Sequence, residues 1–358
     1  MGSTTLLLPL FFLATLAPQT TAFNCSTPAP CHALVDYVVP NTTSLNAIKT
    51  LFGIKKLYSL LGANNLNIST SPNTRIPAKQ KIKIPFPCRC ANGSGISDQV
   101  PIYVVQPGNG LDYIARNIFS ELMKYEDIAA VNGIPDPNKI EVGQKLQIPL
   151  PCSCDEVNGT KVVHYGHVVV ADSSVGGIAQ EFGTTEETLL KLNGMANSSQ
   201  LLAGQVLDVP LKACSSSVKN ESLDSPLLVP NNTYVLTAHQ CIKCKCDAAN
   251  NWILQCEPSQ VNSTQWRTCP SPKCTGSDLS FGNTTSSTSC SSETCAYAGY
   301  NNQTIMATLS KQDNCSAPNS NDNNSSGASR IGLQVSSWNF LFISVHLVLL
   351  VATLALFQ

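Results

Sequence analysis

The chain has 358 residues, of which 13% are charged, and a formal net charge of −1. Charge this sparse and balanced gives no electrostatic footprint for nucleic acid or an anionic membrane surface, and favours a neutral ligand. Sixteen cysteines and fourteen Asn-x-Ser/Thr sequons, from Asn24 to Asn324, place the chain in an oxidising, glycosylating route.

The first element, residues 1–22, carries the apolar run Leu6–Ala17 and ends on Thr20, Thr21 and Ala22. That run is too short to span a bilayer well and predicts a cleaved signal peptide. Three copies of one pattern follow. Each opens on a β-rich triplet: Tyr37, Val38 and Val39; Tyr103, Val104 and Val105; His167, Val168 and Val169. Apolar residues at helical spacing come next, Leu45 and Ile48, Leu111 and Ile114, Val175 and Ile178, with the first helix running to Phe52, Ile118 or Phe182. A second helix ends at Asn64, Asn132 or Asn193. The copies close on matching strand stretches, Gln80 to Pro85, Gln144 to Pro149 and Gln205 to Pro210, with Pro149 expected to stop the second. Matched internal offsets mark a tandem repeat of strand, helix, helix and strand.

The middle copy is the clearest. Its two loops, Gln106 to Gly110 and Gly133 to Ile140, are the expected working surface. Gly108 and Gly110 permit close backbone approach, while Pro135 and Pro137 stiffen the second loop and lower the entropy lost on binding. The same residues are also ordinary turn formers, and Ile140 is equally readable as the start of the closing strand's core.

Between copies the linkers repeat as Cys88-Arg89-Cys90 and Cys152-Ser153-Cys154. Histidines at ligand spacing are missing, since His32, His164, His167, His239 and His346 make no ligand-like pair, so disulfides are favoured over a metal, with the pairing left open. After Cys214 comes a polar linker and a cysteine-dense segment in which Cys241-x-x-Cys244-x-Cys246 reads as part of a disulfide knot. The end of the chain has an Asn/Ser-rich stretch, the small residues Ser325, Ser326 and Gly327, a polar spacer, and an apolar run Phe340–Phe357 followed by Gln358 without Lys or Arg. That layout predicts a glycosylphosphatidylinositol (GPI) attachment signal cleaved near Ser326; a plain single span is the competing reading.

The stretches YVVQPGNGLDYIARNIF, AAVNGIPDPNKI, IPLPCSCD and TCAYAGY resemble plant lipid-anchored LysM receptor-like proteins, and the resemblance covers essentially the whole chain. It implies an α+β fold of three tandem βααβ LysM domains clamped by disulfides, followed by a disulfide-rich C-terminal segment. The implied boundaries are 34–87, 101–151 and 165–213 for the LysM units, 221–315 for the cysteine-rich region, 316–326 for the stalk and 327–358 for the cleaved tail. The family's pairing implies the disulfides Cys25 to Cys90, Cys31 to Cys154 and Cys88 to Cys152.

The resemblance also implies a chitin-oligosaccharide groove between the two loops of the middle copy. One wall is assigned to Gln106, Pro107, Gly108, Asn109 and Gly110, and the other to Ile134, Pro135, Asp136, Asn138 and Ile140, with Ile140 against the acetamido methyl. Expected partners are a LysM receptor-like kinase co-receptor, a second copy bridged by ligand, and the membrane through the GPI anchor, for a role in innate immune signalling. Competing readings are peptidoglycan binding and a non-signalling wall or chitin-binding adhesion protein. No cofactor or metal is expected, nor catalysis: Glu121, Glu126, Asp127, Glu181, Glu186 and Glu187 read as solvated helix-face or cap residues rather than a paired acid and base.

Expected glycosylation sites are Asn24, Asn41, Asn67, Asn92, Asn158, Asn197, Asn220, Asn231, Asn262, Asn283 and Asn302. Asn41 and Asn67 fall in the two loops of the first copy and Asn197 in the second loop of the third, whereas no sequon lies between Asn92 and Asn158. The middle groove is therefore expected to stay bare.

Overall fold

Residues 22–286 and 291–313 are described by the structure, a computed structural model. Residues 1–21, Cys290, Cys315, the Asn/Ser stalk, Ser326 and the apolar tail lie outside the described residues. The chain starts with β1 (Phe23–Asn24) and β2 (Cys31–Val38), then β3 (Thr43–Ser44), α1 (Leu45–Leu51), α2 (Leu57–Ala63), β4 (Arg75–Ile76), β5 (Lys81–Ala91) and β6 (Ser94–Ser97). A second series is β7 (Ile102–Val104), α3 (Leu111–Tyr113), which runs into a π-helical turn Ile114–Ile118, α4 (Tyr125–Val131) and β8 (Lys145–Gln147). The third is β9 (Val162–Val168), α5 (Val175–Phe182), α6 (Glu186–Leu192) and β10 (Val206–Lys212).

One side chain closes each βααβ unit. The last carbonyls of a helix have no partner within it. Here an asparagine just past the second helix meets that need and also holds the closing strand. Asn132 Nδ2 donates to the Ile128 and Gln147 carbonyls, both at 2.8 Å, and its Oδ1 accepts from Gln147 N at 2.8 Å. Asn64 does the same with Leu60 and Lys83, and Asn193 with Leu189 and Asp208. Only an amide side chain both donates and accepts in this way.

The first helix of the middle unit departs from the 3.6-residue reading. Its π-helical turn places Phe119 fully in the core and leaves Ile118, the expected inward residue, half-buried. A wider turn rotates the inward face by about one residue. Phe119 then stacks edge-on against Phe52 of the first unit and Tyr103 of its own, so these two units share one core.

Units one and three are joined differently. β2 and β9 pair in parallel, with Leu34 opposite Tyr165, which gives a six-stranded sheet ordered β1-β6-β5-β2-β9-β10. At this seam the buried Asp36 accepts from the Tyr165 hydroxyl and shares a 2.8 Å hydrogen bond with His167 Nδ1. Burial pushes the Asp36 carboxyl up, but the hydrogen bonds from His167 and Tyr165 outweigh it and hold the group below the usual carboxylate range.

β7 and β8 form their own two-stranded sheet, tethered to β6 through buried Ser97. Its Oγ donates to the Ile148 carbonyl and accepts from Leu150 N. Beside it a Cβ on Gly95 would lie 1.8 Å from the Cys152 carbonyl oxygen, so only glycine fits. Three disulfides surround this junction: Cys25–Cys90, Cys31–Cys154 and Cys88–Cys152, spanning 65, 123 and 64 residues. Loops of that length are worth about 4–5 kcal/mol each on a chain-entropy estimate.

The remaining strands are β11 (Thr233–Thr237), β12 (Ile242–Cys246) and β13 (Gln255–Pro258) in one sheet, and β14 (Thr284–Ser286), β15 (Ser291–Tyr300) and β16 (Ile305–Asp313) in another. Cys241, Cys244 and Cys246 each belong to a different disulfide, with Cys269, Cys256 and Cys214; Cys274 pairs with Cys295. This segment sits directly on α2: a Cβ on Gly62 would lie 2.0 Å from the Tyr234 carbonyl, and the Tyr234 hydroxyl donates to Leu66 O at 2.8 Å. Among the described residues no helix is long and apolar enough to cross a membrane.

Because Asn132 makes three bonds from a half-buried position, Asn132→Ala is expected to cost about 2–4 kcal/mol of unfolding free energy. Urea titration with the disulfides intact measures it, and an unchanged midpoint would contradict the closing role.

Candidate functional site

The two loops of the middle unit start and finish at the same end of the β7/β8 hairpin. Val105 N donates to Gln144 O and Gly143 N to Val105 O, so the chain leaving β7 lies beside the chain entering β8. The first loop is a turn in which Asn109 N donates to Gln106 O and Gly108 takes φ +80°, the left-handed region that favours glycine. Asn109 then anchors it, since its Oδ1 accepts from the Tyr103 hydroxyl at 2.7 Å and from Gln106 N at 3.3 Å. Burial, and then the neighbouring Tyr113, push the Tyr103 phenol up, which keeps it a neutral donor. Tyr103 reads in the sequence only as a strand residue; its role in the loop depends on a contact that spacing does not encode.

Gln106, Pro107, Gly108 and Gly110 are exposed, and Asn109 is half-buried. On the second loop Pro135 and Asn138 are exposed, while Ile134, Asp136 and Ile140 are half-buried. Ile134 and Ile140 rest on the main core, which fixes their exposed edges in place. Ile140 does not open the closing strand, because β8 starts only at Lys145. Tyr113, which no motif or spacing marks, adds an aromatic ring 45% exposed just beyond the first loop. The one cation on either loop, Lys139, lies 3.5 Å from the Asp136 carboxylate, a pair too exposed to add much stability.

A common turn appears at the matching place in all three units. Asn67 Oδ1 accepts from Ser69 N, Asp136 Oδ1 from Asn138 N, and Asn197 Oδ1 from Ser199 N. In units one and three the turn residue is the asparagine of a sequon; in the middle unit it is an aspartate followed by Pro137. The middle position therefore cannot carry an N-linked sugar. Asn41, Asn67 and Asn197 are all exposed.

The carboxylates considered for catalysis are spread out. Glu126 and Asp127 lie in the first turn of α4, Glu186 and Glu187 in that of α6, and Glu121 is 3.1 Å from Arg116. Negative charge in a first turn complements the helix dipole, a structural use of these groups.

Comparison with known proteins identifies the class first: the LysM domain family matches residues 103–149 and 167–210, the second and third units. LysM domain-containing GPI-anchored protein 2 of Arabidopsis thaliana is 47% identical over 96% of this chain and 96% of its own length. The chitin elicitor-binding protein of Oryza sativa subsp. japonica is 41% identical over 94% of this chain and 92% of its own. A solved receptor-like kinase ectodomain shares 22% identity over 52% of this chain and 94% of that one, with a TM-score of 0.44. The chain belongs to the family of plant LysM domain-containing GPI-anchored proteins.

If bareness is what keeps the middle loop open, a sugar moved onto it should close it. The triple change Asp136→Asn, Pro137→Ser and Asn138→Ser copies the third unit's sequon; glycosylated, it is expected to lose oligosaccharide binding by more than about tenfold, and enzymatic deglycosylation should restore it. Unimpaired binding by the glycosylated variant contradicts the steric account.

Proposed function

We propose that this chain is a cell-surface receptor subunit that binds chitin oligosaccharides in the groove between its two middle-unit loops. The observation that carries the reading is the shared turn at Asn67, Asp136 and Asn197, which bears a sequon in the outer units and a Pro-blocked aspartate in the middle one. N-acetylglucosamine polymers present hydroxyls, amides and acetamido methyls but no charge. Rigid loops with exposed backbone amides suit the polar groups, and the edge of Ile140 suits the methyl. Lys139 is the one cation on either loop, which is little charge for the carboxylates of peptidoglycan peptides, so chitin is favoured over peptidoglycan.

The first unit, with the same helix-ending asparagine and turn, is in this reading a third LysM domain, and residues 221–315 form a membrane-proximal module. A signal peptide at 1–22 and a tail cleaved after Ser326 would leave the chain GPI-anchored on the outer membrane face, in keeping with the names of its relatives. A LysM receptor kinase would then carry the immune signal inward, with a long oligosaccharide bridging it, or a second copy of this chain, to the middle groove.

Calorimetry on the secreted ectodomain tests the ligand. Chitin octamer is expected to give heat and soluble peptidoglycan fragments none, and Ile140→Lys should weaken chitin binding by about ten- to hundredfold, a loss of about 1.4–2.8 kcal/mol. Heat with peptidoglycan alone contradicts the reading, and normal binding by Ile140→Lys contradicts the groove.

A further inference from the structure

A cleft of about 780 Å³ lies between the two C-terminal sheets and is lined by none of the middle-unit loop residues. Its size is in the range of small-ligand sites, roughly 300–1,000 Å³. One wall comes from Ser217, Asn251, Gln255 and Glu257 on and around β13, and the other from Thr284, Thr294 and Ser310 on β14, β15 and β16. Hydroxyls and amides predominate in the lining, with Phe281, Pro258 and Leu254 supplying apolar surface, and its two charged side chains each have a partner, Lys245 with Asp247 at 3.7 Å and Glu257 with Lys243 at 3.4 Å. Among the described residues, the side chains of Ser217, Asn251, Gln255 and Ser310 make no hydrogen bond, so both walls offer unpaired polar groups. Such a lining suits a neutral, polyhydroxylated ligand that also carries an apolar face.

Asn283 lines the same cleft and heads the sequon Asn283-Thr284-Thr285. Its main chain is fixed: Asn283 N donates to Ser280 O, and its carbonyl accepts from Cys295 N. Its side-chain amide is exposed and unpaired among the described residues, unlike that of Asn231, whose Oδ1 accepts from Ala248 N. An N-linked sugar begins with two β-1,4-linked N-acetylglucosamines, neutral rings with hydroxyls, acetamides and one apolar face. A covalent tether at the lip gives that disaccharide a high local concentration, so even weak contacts with the walls suffice to hold it.

We propose that this cleft is a binding site for an N-acetylglucosamine disaccharide and that the glycan on Asn283 fills it, bridging the β11-β12-β13 sheet to the β14-β15-β16 sheet. Nothing in this inference depends on the chitin groove. Asn283 would then be a structural modification site, in contrast to Asn67 and Asn197, which lie on exposed loops.

Site-by-site glycopeptide mass spectrometry during native treatment of the full ectodomain with a peptide N-glycosidase tests it. Release at Asn283 is expected to be about tenfold or more slower than at Asn67 and Asn197, as for any group that must first leave a contact surface. Gln255→Trp, which fills the cleft with a bulky ring, should raise the Asn283 rate to that of the loop sites and leave their rates unchanged. In a second arm, Asn283→Gln ectodomain carrying Ile140→Lys is probed with free N-acetylglucosamine disaccharide by saturation-transfer NMR. Signal that Gln255→Trp abolishes supports the cleft as a site that also takes sugar from solution. An unmodified Asn283, or release there as fast as at Asn67, overturns the proposal, and signal indifferent to Gln255→Trp overturns the cleft as its location. Because Ile140→Lys is present throughout the second arm, a failure of the chitin groove leaves these outcomes unchanged.

Discussion

Three disulfides converge on the linkers between repeats and fix where the units meet. Units of about fifty residues bury too little apolar surface to be strongly stable alone. Cys88 and Cys152 join the exits of the first two units, Cys31 ties the entry of the first to Cys154, and Cys25 holds the N-terminal strand to Cys90. With the linkers fixed, the parallel pairing of β2 with β9 and the shared core around Phe52 and Phe119 become local contacts rather than long-range ones. The loops of the middle unit are therefore presented by a rigid block, the condition under which shallow contacts with a sugar can be specific.

Within that block each unit is completed by one asparagine amide, and the same three-bond arrangement at Asn64, Asn132 and Asn193 gives the three loop pairs a common geometry. What differs is what the loops carry. The turn at Asn67, Asp136 and Asn197 is one conformation built twice on a glycosylatable asparagine and once on an aspartate. Under the proposed function, selection among equivalent sites would come from covalent modification of the competitors rather than from a different fold.

Much of this was legible in the residues. Helix ends at Asn64, Asn132 and Asn193 are short-range signals that tertiary packing left in place; the strands were legible only in part, since the six-stranded sheet starts β2 and β9 at Cys31 and Val162, before Tyr37 and His167, and carries β5 and β10 through Pro85 and Pro210 to Ala91 and Lys212. Phe119 was not legible, because a π-helical turn shifts the inward face without a sequence mark that periodicity detects. The seam at Asp36, Tyr165 and His167 was also hidden: it joins residues about 130 positions apart whose polar character suggests exposure rather than burial. At the candidate site the loops and their glycine and proline content could be read directly. The bond from Tyr103 to Asn109 and the equivalence of Asp136 with the outer sequons were not legible, because both depend on which atoms meet across a turn.

If one groove of three is open, binding stoichiometry will show it. Titrating the glycosylated ectodomain with a chitin oligomer short enough to occupy a single groove should saturate at one ligand per chain; saturation at two or three per chain, with Asn41, Asn67 and Asn197 shown to be glycosylated, would contradict it.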